Sequence, residues 1–127
     1  MYNTRRHGEA AERFNERRLR EDNAKRLAAE IPDLLTLRMD IEERTGSAGI
    51  VEPPHIRRIV VASAPALFVL PCGDTRCRDG GHDVTDMMMR ALHAKNVSFE
   101  GSDSCNGNIG SAPCNRVLQF KATATYR

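Results

Sequence analysis

The N-terminal part of the chain carries a broken helical pattern. Residues 8–30 are rich in Glu, Ala, Arg, Leu and Lys and contain no proline, and Pro32 follows them. This composition predicts a helix over residues 8–30 that ends before the proline. Its apolar stripe is interrupted and consists of Ala10, Ala11, Phe14, Leu27, Ala28 and Ile31. Because such a helix does not fold stably alone, we expect it to pack on a partner surface.

The next segment changes from a helical to an alternating pattern. Its apolar positions are Leu35, Leu37, Met39 and Ile41, each followed by a polar residue. This alternation is typical of a strand that is buried on one face. Residues 45–54 contain two glycines and two prolines and predict a loop. Residues 55–62 and 66–71 predict two further strands.

The C-terminal half adds a short helix and two strands. Apolar residues at helical spacing predict a helix over residues 84–95, with Asp83 as its N-cap and Asn96 at its other end. Residues 97–99 open a strand, and a clear alternation over residues 117–126 predicts the last one. The elements together predict an α+β fold in which an antiparallel sheet is covered on one face by a short helix.

We divide the chain into two parts. Residues 1–31 form a charged N-terminal helical arm, and residues 32–127 form an α+β domain with a zinc-knuckle-like site of four cysteines. The 127 residues suffice for a modest core, and the 40% of hydrophobic residues are ordinary for a globular domain. Aromatic residues make up only 5%, and tryptophan is absent from the sequence. A core so poor in large side chains gains stability from an additional cross-link.

The charges lie unevenly along the chain. The arm carries eight Lys or Arg and six Asp or Glu, so it holds the whole net charge of +2. An excess of this size does not by itself indicate a nucleic-acid-binding protein. Since acidic residues are interleaved with the basic ones, a solvated helix face explains the arm better than a phosphate-binding surface. Nucleic acid is therefore the weaker of the expected partners.

The apolar runs lead us to expect a cytoplasmic protein that does not bind membranes. The longest run, residues 59–70, is interrupted by Ser63 and Pro65 and is shorter than the roughly 20 residues of a membrane helix. The first residues are followed by charge rather than by the apolar core of a signal peptide. In a reducing compartment, closely spaced cysteines are more often metal ligands than disulfides.

The four cysteines form two pairs, and each pair brackets a turn-rich segment. Four residues separate Cys72 from Cys77, and eight residues separate Cys105 from Cys114. Zinc prefers four ligands at tetrahedral angles, and a short loop lets two thiolates converge on one ion. The second loop has Ile109 as its only large apolar residue, so hydrophobic contact cannot order it. The sequence therefore predicts one structural Zn²⁺ bound by all four cysteines.

His82 is the alternative metal ligand. It follows Cys77 by five residues and could replace one cysteine, but four cysteines already complete the coordination shell. If His82 and two cysteines bound the metal, the open position would be that of a zinc-dependent hydrolase with Asp79, Asp83 or Asp103 as base. Turn formation and helix capping explain these aspartates more simply.

These observations lead to a hypothesis about function. We expect a non-enzymatic, zinc-stabilised binding or adaptor module, whose N-terminal helix docks on a protein or nucleic-acid partner or on a second copy of the chain. The alternative is a thiol-based redox or zinc sensor, in which oxidation of the cysteines releases the metal. The zinc-dependent hydrolase is the third and weakest hypothesis.

Overall fold

The fold is built on one antiparallel sheet. A computed structural model of the chain describes residues 19–45, 49–50 and 55–127. After helical residues 19–23, the elements are α1 (Leu27–Glu30), β1 (Leu34–Thr45), β2 (Gly49–Ile50), β3 (His55–Ile59), β4 (Val69–Leu70), β5 (His82–Asp83), α2 (Thr85–His93), β6 (Ser98–Ser104), β7 (Asn108–Ile109), β8 (Ala112–Pro113) and β9 (Arg116–Tyr126). The predicted α+β class with an antiparallel sheet is confirmed.

The long strands β1 and β9 form the centre of this sheet. They pair with each other from Leu34 opposite Tyr126 to Thr45 opposite Arg116. The free edge of β9 pairs with β6, and the free edge of β1 pairs with β3 and β2. Strands β4 and β5 form a separate small sheet, and so do β7 and β8. The two small sheets carry the loops in which the cysteines lie.

One face of the large sheet is buried under α2 and the segments next to it. The alternation predicted for β9 is confirmed, because its even-numbered positions from 118 to 124 face the core. The buried apolar residues are Leu27, Ile31, Leu34, Leu37, Met39, Ile41, Phe68, Val84, Met88, Leu92, Leu118, Phe120, Ala122 and Ala124. Two of them, Leu27 and Ile31, belong to the predicted arm. The end of the arm is therefore part of the main core.

The helix predicted over residues 8–30 is interrupted. Residues 19–23 are helical, but the chain leaves the helical conformation before the short helix α1 begins. At this point the Leu27 amide donates to the Ala64 carbonyl at 2.9 Å, a tertiary hydrogen bond in place of an intrahelical one. The prediction of a continuous helix up to residue 30 is wrong for this reason. Its earlier part, residues 8–18, lies outside the described residues.

A β-bulge near the start of β1 changes the predicted orientation of Leu35. The pairing with β9 shifts register between Leu34 and Thr36. Leu34 is consequently buried, whereas Leu35 is 49% exposed. An inserted residue in a strand reverses the faces of the residues before it relative to those after it. From Leu37 onward the strand alternates as predicted.

The predicted short helix is present as α2, but its N-cap is Val84, without a side-chain capping hydrogen bond, rather than the predicted Asp83. At the start of α2, the Thr85 amide donates to the Asp83 carboxylate at 3.0 Å. At its end, the Asn96 amide donates to the Ala91 carbonyl at 3.0 Å, and Lys95 adopts a φ of 61°. This is the arrangement of a Schellman C-cap, with lysine as the left-handed residue. No helix in the described ranges is long and apolar enough to cross a lipid bilayer.

Candidate metal centre

The two cysteine pairs meet at one end of the large sheet. Cys72 and Cys77 lie in the loop between β4 and β5, while Cys105 follows β6 and Cys114 precedes β9. Because β6 and β9 are hydrogen-bonded neighbours, the second pair leaves the sheet at a common end. The Cys105 amide continues this pairing by donating to the Arg116 carbonyl at 2.9 Å.

The four sulfur atoms form a compact group. All four Sγ atoms lie within 4.8 Å of one another. The Cys72 and Cys114 Sγ atoms are 3.8 Å apart, and those of Cys77 and Cys105 are 3.6 Å apart. Four thiolates bound to zinc at about 2.3 Å in tetrahedral geometry place their sulfurs about 3.8 Å from one another. The structure thus brings together all four cysteines selected from the sequence, in a group that could hold a metal ion.

The thiols differ in their burial and in their pKa values. Cys105 and Cys114 are buried, and Cys72 and Cys77 are half-buried. Burial raises the pKa of Cys72 far above its ordinary value and raises the pKa of Cys77 to about 11. Burial also opposes ionisation of Cys105, but hydrogen bonds from the Gly107 amide and from neighbouring groups outweigh it and lower this pKa. A metal ion that binds here must therefore displace protons from Cys72 and Cys77.

Two glycines allow the cysteine loops to approach each other. A Cβ atom on Gly80 would lie 2.4 Å from the Sγ atoms of both Cys77 and Cys105. A Cβ atom on Gly107 would lie 2.5 Å from the Cys77 Sγ and 2.5 Å from the Arg78 carbonyl oxygen. Neither position is among the site residues predicted from the sequence. A glycine within each cysteine loop was the available signal, because backbone approaches closely to a metal site where side chains are absent.

The same two loops are also joined through their backbones. The Arg78 amide donates to the Asn108 carbonyl at 2.8 Å, and the Asn108 amide donates back to the Arg78 carbonyl at 3.0 Å. The Cys114 amide donates to the Gly107 carbonyl at 2.8 Å. The two hydrogen bonds between Arg78 and Asn108 hold the loop of the first pair against the loop of the second, and the one from Cys114 joins the two ends of the second loop. The four thiols therefore belong to one folded unit rather than to two independent turns.

A buried polar network lies between the cysteines and the hydrophobic core. It contains Glu43, Asp74, His82 and Arg116, none of which is more than 9% exposed. The Arg116 guanidinium donates to the Glu43 carboxylate at 2.9 Å and lies 3.9 Å from the carboxylate of Asp74. Arg76 also donates to Asp74, and these hydrogen bonds lower the pKa of that carboxyl to about 2. Glu43, Asp74 and Arg116 are not among the site residues predicted from the sequence.

His82 belongs to this polar network. Its Nε2 atom lies 3.3 Å from the Glu43 carboxylate, and its Nδ1 atom lies 3.5 Å from the Asp103 carboxylate. The compact group of metal-binding atoms in the described part of the chain consists of the four sulfurs and does not include the imidazole. Since both ring nitrogens face carboxylates, the structure gives no support to His82 as a substitute ligand.

The three aspartates considered as bases for a hydrolase lie in separate places. Asp83 accepts the first amide of α2 and pairs with Arg20 at 3.3 Å. Asp103 faces His82, and Asp79 adopts a φ of 57° in the first cysteine loop. Asp83 thus lies directly before the N-cap residue Val84 and accepts a hydrogen bond from the first residue of α2, a turn interaction that agrees with the simpler interpretation. The three do not form one group with the sulfurs among the described residues.

The chemistry of this centre has to be inferred from its own geometry. The donor set consists of sulfur, the spacing suits a tetrahedral ion, and the surrounding groups are backbone amides, glycines and a buried ion-pair network. Comparison with protein-family models, with curated proteins and with solved structures gave no match to this chain.

Proposed function

We propose that the chain is a non-enzymatic binding module stabilised by one structural Zn²⁺, with Cys72, Cys77, Cys105 and Cys114 as the ligands. The observation that carries this proposal is the group of four Sγ atoms within 4.8 Å of one another. Soft thiolates at tetrahedral spacing suit zinc better than they suit magnesium, calcium or manganese. Four protein ligands leave no position for a reacting water, so the ion would stabilise the fold rather than catalyse a reaction.

The loops around the sulfurs support a structural role for the ion, because they have almost no hydrophobic core of their own. From residue 71 to residue 81 no apolar side chain is buried, and from residue 105 to residue 115 only the two cysteines are. A structural zinc ion contributes on the order of 10 kcal/mol to folding. An ion at the centre of these loops would replace the hydrophobic contacts that they lack.

The charges near the sulfurs also suit a zinc–thiolate complex. Zn²⁺ with four thiolates carries two negative charges in total, which need compensation in a partly buried site. Arg76 lies near Cys114, and Arg116 follows Cys114 by two residues in the sequence. A backbone amide adds the positive end of its dipole, since the Gly107 N–H donates to the Cys105 Sγ at 3.5 Å. The Gly107 hydrogen bond favours the ionised form of Cys105, whereas burial opposes ionisation of Cys72 and Cys77, whose protons the ion itself would displace.

Metal content per chain tests the zinc site. We expect native mass spectrometry of protein purified without added zinc to show one zinc ion per chain. Serine substitution of any one of the four cysteines should abolish or strongly weaken this binding, whereas His82→Gln and the exposed control Ser111→Ala should retain it. Chains with four free thiols and no metal would refute the proposal.

The binding role is assigned to the N-terminal arm. Leu19, in the first described part of the arm, is 60% exposed, and its neighbour Arg20 pairs with Asp83 on the domain. An exposed leucine on a helix that is tethered to the domain is suited to contact with a protein or with a second copy of the chain. Sedimentation equilibrium of the full chain and of Leu19→Glu tests self-association. Identical masses for the two proteins, both above the monomer, would exclude this surface.

A thiol-based sensor is the second candidate, and the sulfur distances favour it specifically. Two close sulfur pairs, Cys72 with Cys114 at 3.8 Å and Cys77 with Cys105 at 3.6 Å, each join one loop to the other. Hydrogen peroxide can oxidise one thiolate to a sulfenic acid, and attack by the neighbouring thiol then forms a disulfide and releases water. Peroxide should release zinc and produce these two disulfides, and dithiothreitol should reverse both changes. Zinc that stays bound in peroxide would exclude a sensor.

A further inference from the structure

Glu43 occupies an unusual position for a carboxylate. It lies on β1 at the inward-facing position that follows Met39 and Ile41 in the alternation, and it is 7% exposed. A buried carboxylate without partners is strongly destabilising, so its neighbours must compensate for the loss of water. Its partners all come from the region of the cysteine loops. The position therefore links the central sheet to the candidate metal centre.

The carboxylate of Glu43 is bonded to the first cysteine loop and to the strand that follows the second. The amide of Gly73, the residue directly after Cys72, donates to its two oxygens at 3.2 Å and 3.1 Å. The side chain of Arg116, two residues after Cys114, donates to it at 2.9 Å. One carboxylate on β1 thus connects the backbone beside Cys72 with the strand that begins two residues after Cys114.

The contact with the first loop is close. A Cβ atom on Gly73 would lie 2.8 Å from the Glu43 Oε1 atom, so a side chain at this position would displace the carboxylate. The His82 Nε2 atom lies 3.3 Å from the other oxygen, Oε2, and His82 directly follows the C-terminal end of the same loop. Three neighbours from three chain segments therefore determine where this carboxylate lies. In return, the carboxylate determines where the loop after Cys72 lies.

From these contacts we infer that Glu43 is a positioning residue for the metal centre, which holds the Cys72 and Cys114 thiols in place for the ion. The inference rests on the proposed zinc site. Groups that orient metal ligands without touching the metal commonly change metal affinity by about 10-fold to 100-fold when they are replaced. Glu43→Gln keeps the size of the side chain, but it replaces one acceptor oxygen by an NH₂ donor that faces other donors.

The test compares Glu43→Gln with Glu42→Gln. Glu42 is the adjacent residue of β1, and its carboxylate pairs with Arg44 at 2.6 Å rather than with a cysteine loop. We expect chelator competition to show that zinc binds Glu43→Gln about 10-fold to 100-fold more weakly than it binds the wild type. Glu42→Gln should match the wild type within about twofold. The visible spectrum of the Co²⁺ form should change in Glu43→Gln alone.

Ile41→Val separates positioning from general loss of stability. This variant weakens the same strand by removing a methyl group from the core, away from the sulfurs. A change in the Co²⁺ spectrum in Glu43→Gln but not in Ile41→Val supports positioning, since general destabilisation leaves the ligand geometry unchanged. Arg116→Lys, which keeps the charge but loses the planar fork, provides the same test if Glu43→Gln does not fold.

The outcomes distinguish this inference from the proposed zinc site. A wild-type chain that binds no metal refutes both. If the wild type binds zinc, and Glu43→Gln and Arg116→Lys have the zinc affinity and the Co²⁺ spectrum of Glu42→Gln, then Glu43 has no positioning role, while the zinc site stands. Weaker binding together with a changed spectrum in the network variants alone supports the inference.

Discussion

Removal of the metal should loosen one end of the molecule and leave the rest folded. The loops from residue 71 to 81 and from residue 105 to 115 bury no apolar side chain besides the cysteines. By contrast, α2 and the two central strands share a continuous core that includes Met39, Leu92 and Ala122. Because that core does not involve the sulfurs, we expect it to persist when a chelator removes the ion.

The size of the effect follows from mass action. A ligand present at about 1,000 times its dissociation constant stabilises the folded form of its site by about 4 kcal/mol. The backbone amides of Arg78 and Asn108 donate across the two loops and are protected from exchange only while the loops stay together. Chelation should therefore speed their hydrogen exchange about 1,000-fold relative to protein at that excess of zinc. The β1 amides that pair with β9 should change far less.

Hydrogen exchange measured by NMR on the zinc-loaded and the chelated protein gives both rates residue by residue. The central strands provide the internal comparison, since β1 and β9 pair from Leu34 to Thr45 and we expect this pairing to persist when the loops loosen. Equal exchange of the loop amides with and without metal would refute a structural ion. Loss of protection throughout β1 and β9 on chelation would refute the independence of the core, and with it the reasoning from burial.

Three further predictions concern the loops and the start of α2. Gly107→Ala should lower both zinc affinity and the melting temperature, because its Cβ would lie 2.5 Å from the Cys77 Sγ, whereas Ser111→Ala should change neither. Zinc binding at pH 7 should release at least the protons of Cys72 and Cys77, because burial raises the pKa values of these thiols. The zinc affinity should therefore decrease as the pH is lowered, and a titration in weak buffer that releases no protons would contradict this. Burial opposes ionisation of Asp83, but hydrogen bonds from the first residue of α2 outweigh it and lower its pKa, so its contribution is present above about pH 4 and is lost as the pH falls further. Asp83→Asn should accordingly melt at a lower temperature than the wild type at neutral pH, and this difference should shrink below about pH 4. A difference in melting temperature that does not change with pH would contradict a role for the carboxylate.

Local periodicity predicts the elements of this fold that have one buried face. The last strand alternates without interruption, and the positions from Leu118 to Ala124 that the alternation selects are buried. Helix α2 shows the same agreement, with Val84, Met88 and Leu92 buried at helical spacing. Both patterns arise because one face packs on a core and the other meets water, which is a property of each residue and its near neighbours.

The predictions of a continuous helix up to residue 30 and of a buried Leu35 are wrong at positions where distant residues decide the local conformation. The break after residue 23 coincides with hydrogen bonds to a segment far along the chain, including one from the Arg26 side chain to the Ser63 carbonyl at 2.9 Å. No composition rule for residues 8–30 contains that information. The exposure of Leu35 has a similar origin, because the bulge is defined by the pairing of β1 with β9. Helix propensity and alternation are therefore overruled by tertiary partners at these positions.

The cysteines were identified from residue type and spacing, but Glu43 and Arg116 were missed although the alternation reaches both. On β1 the inward positions run from Leu37 in steps of two to Glu43, and on β9 they run from Ala124 back to Arg116. A charged residue at an inward position requires a partner, since an unpaired buried charge is too costly. Inward-facing residues of opposite charge at the same end of two neighbouring strands can pair with each other. The alternation alone could thus have indicated a buried ion pair at the end of the sheet from which the cysteine loops extend.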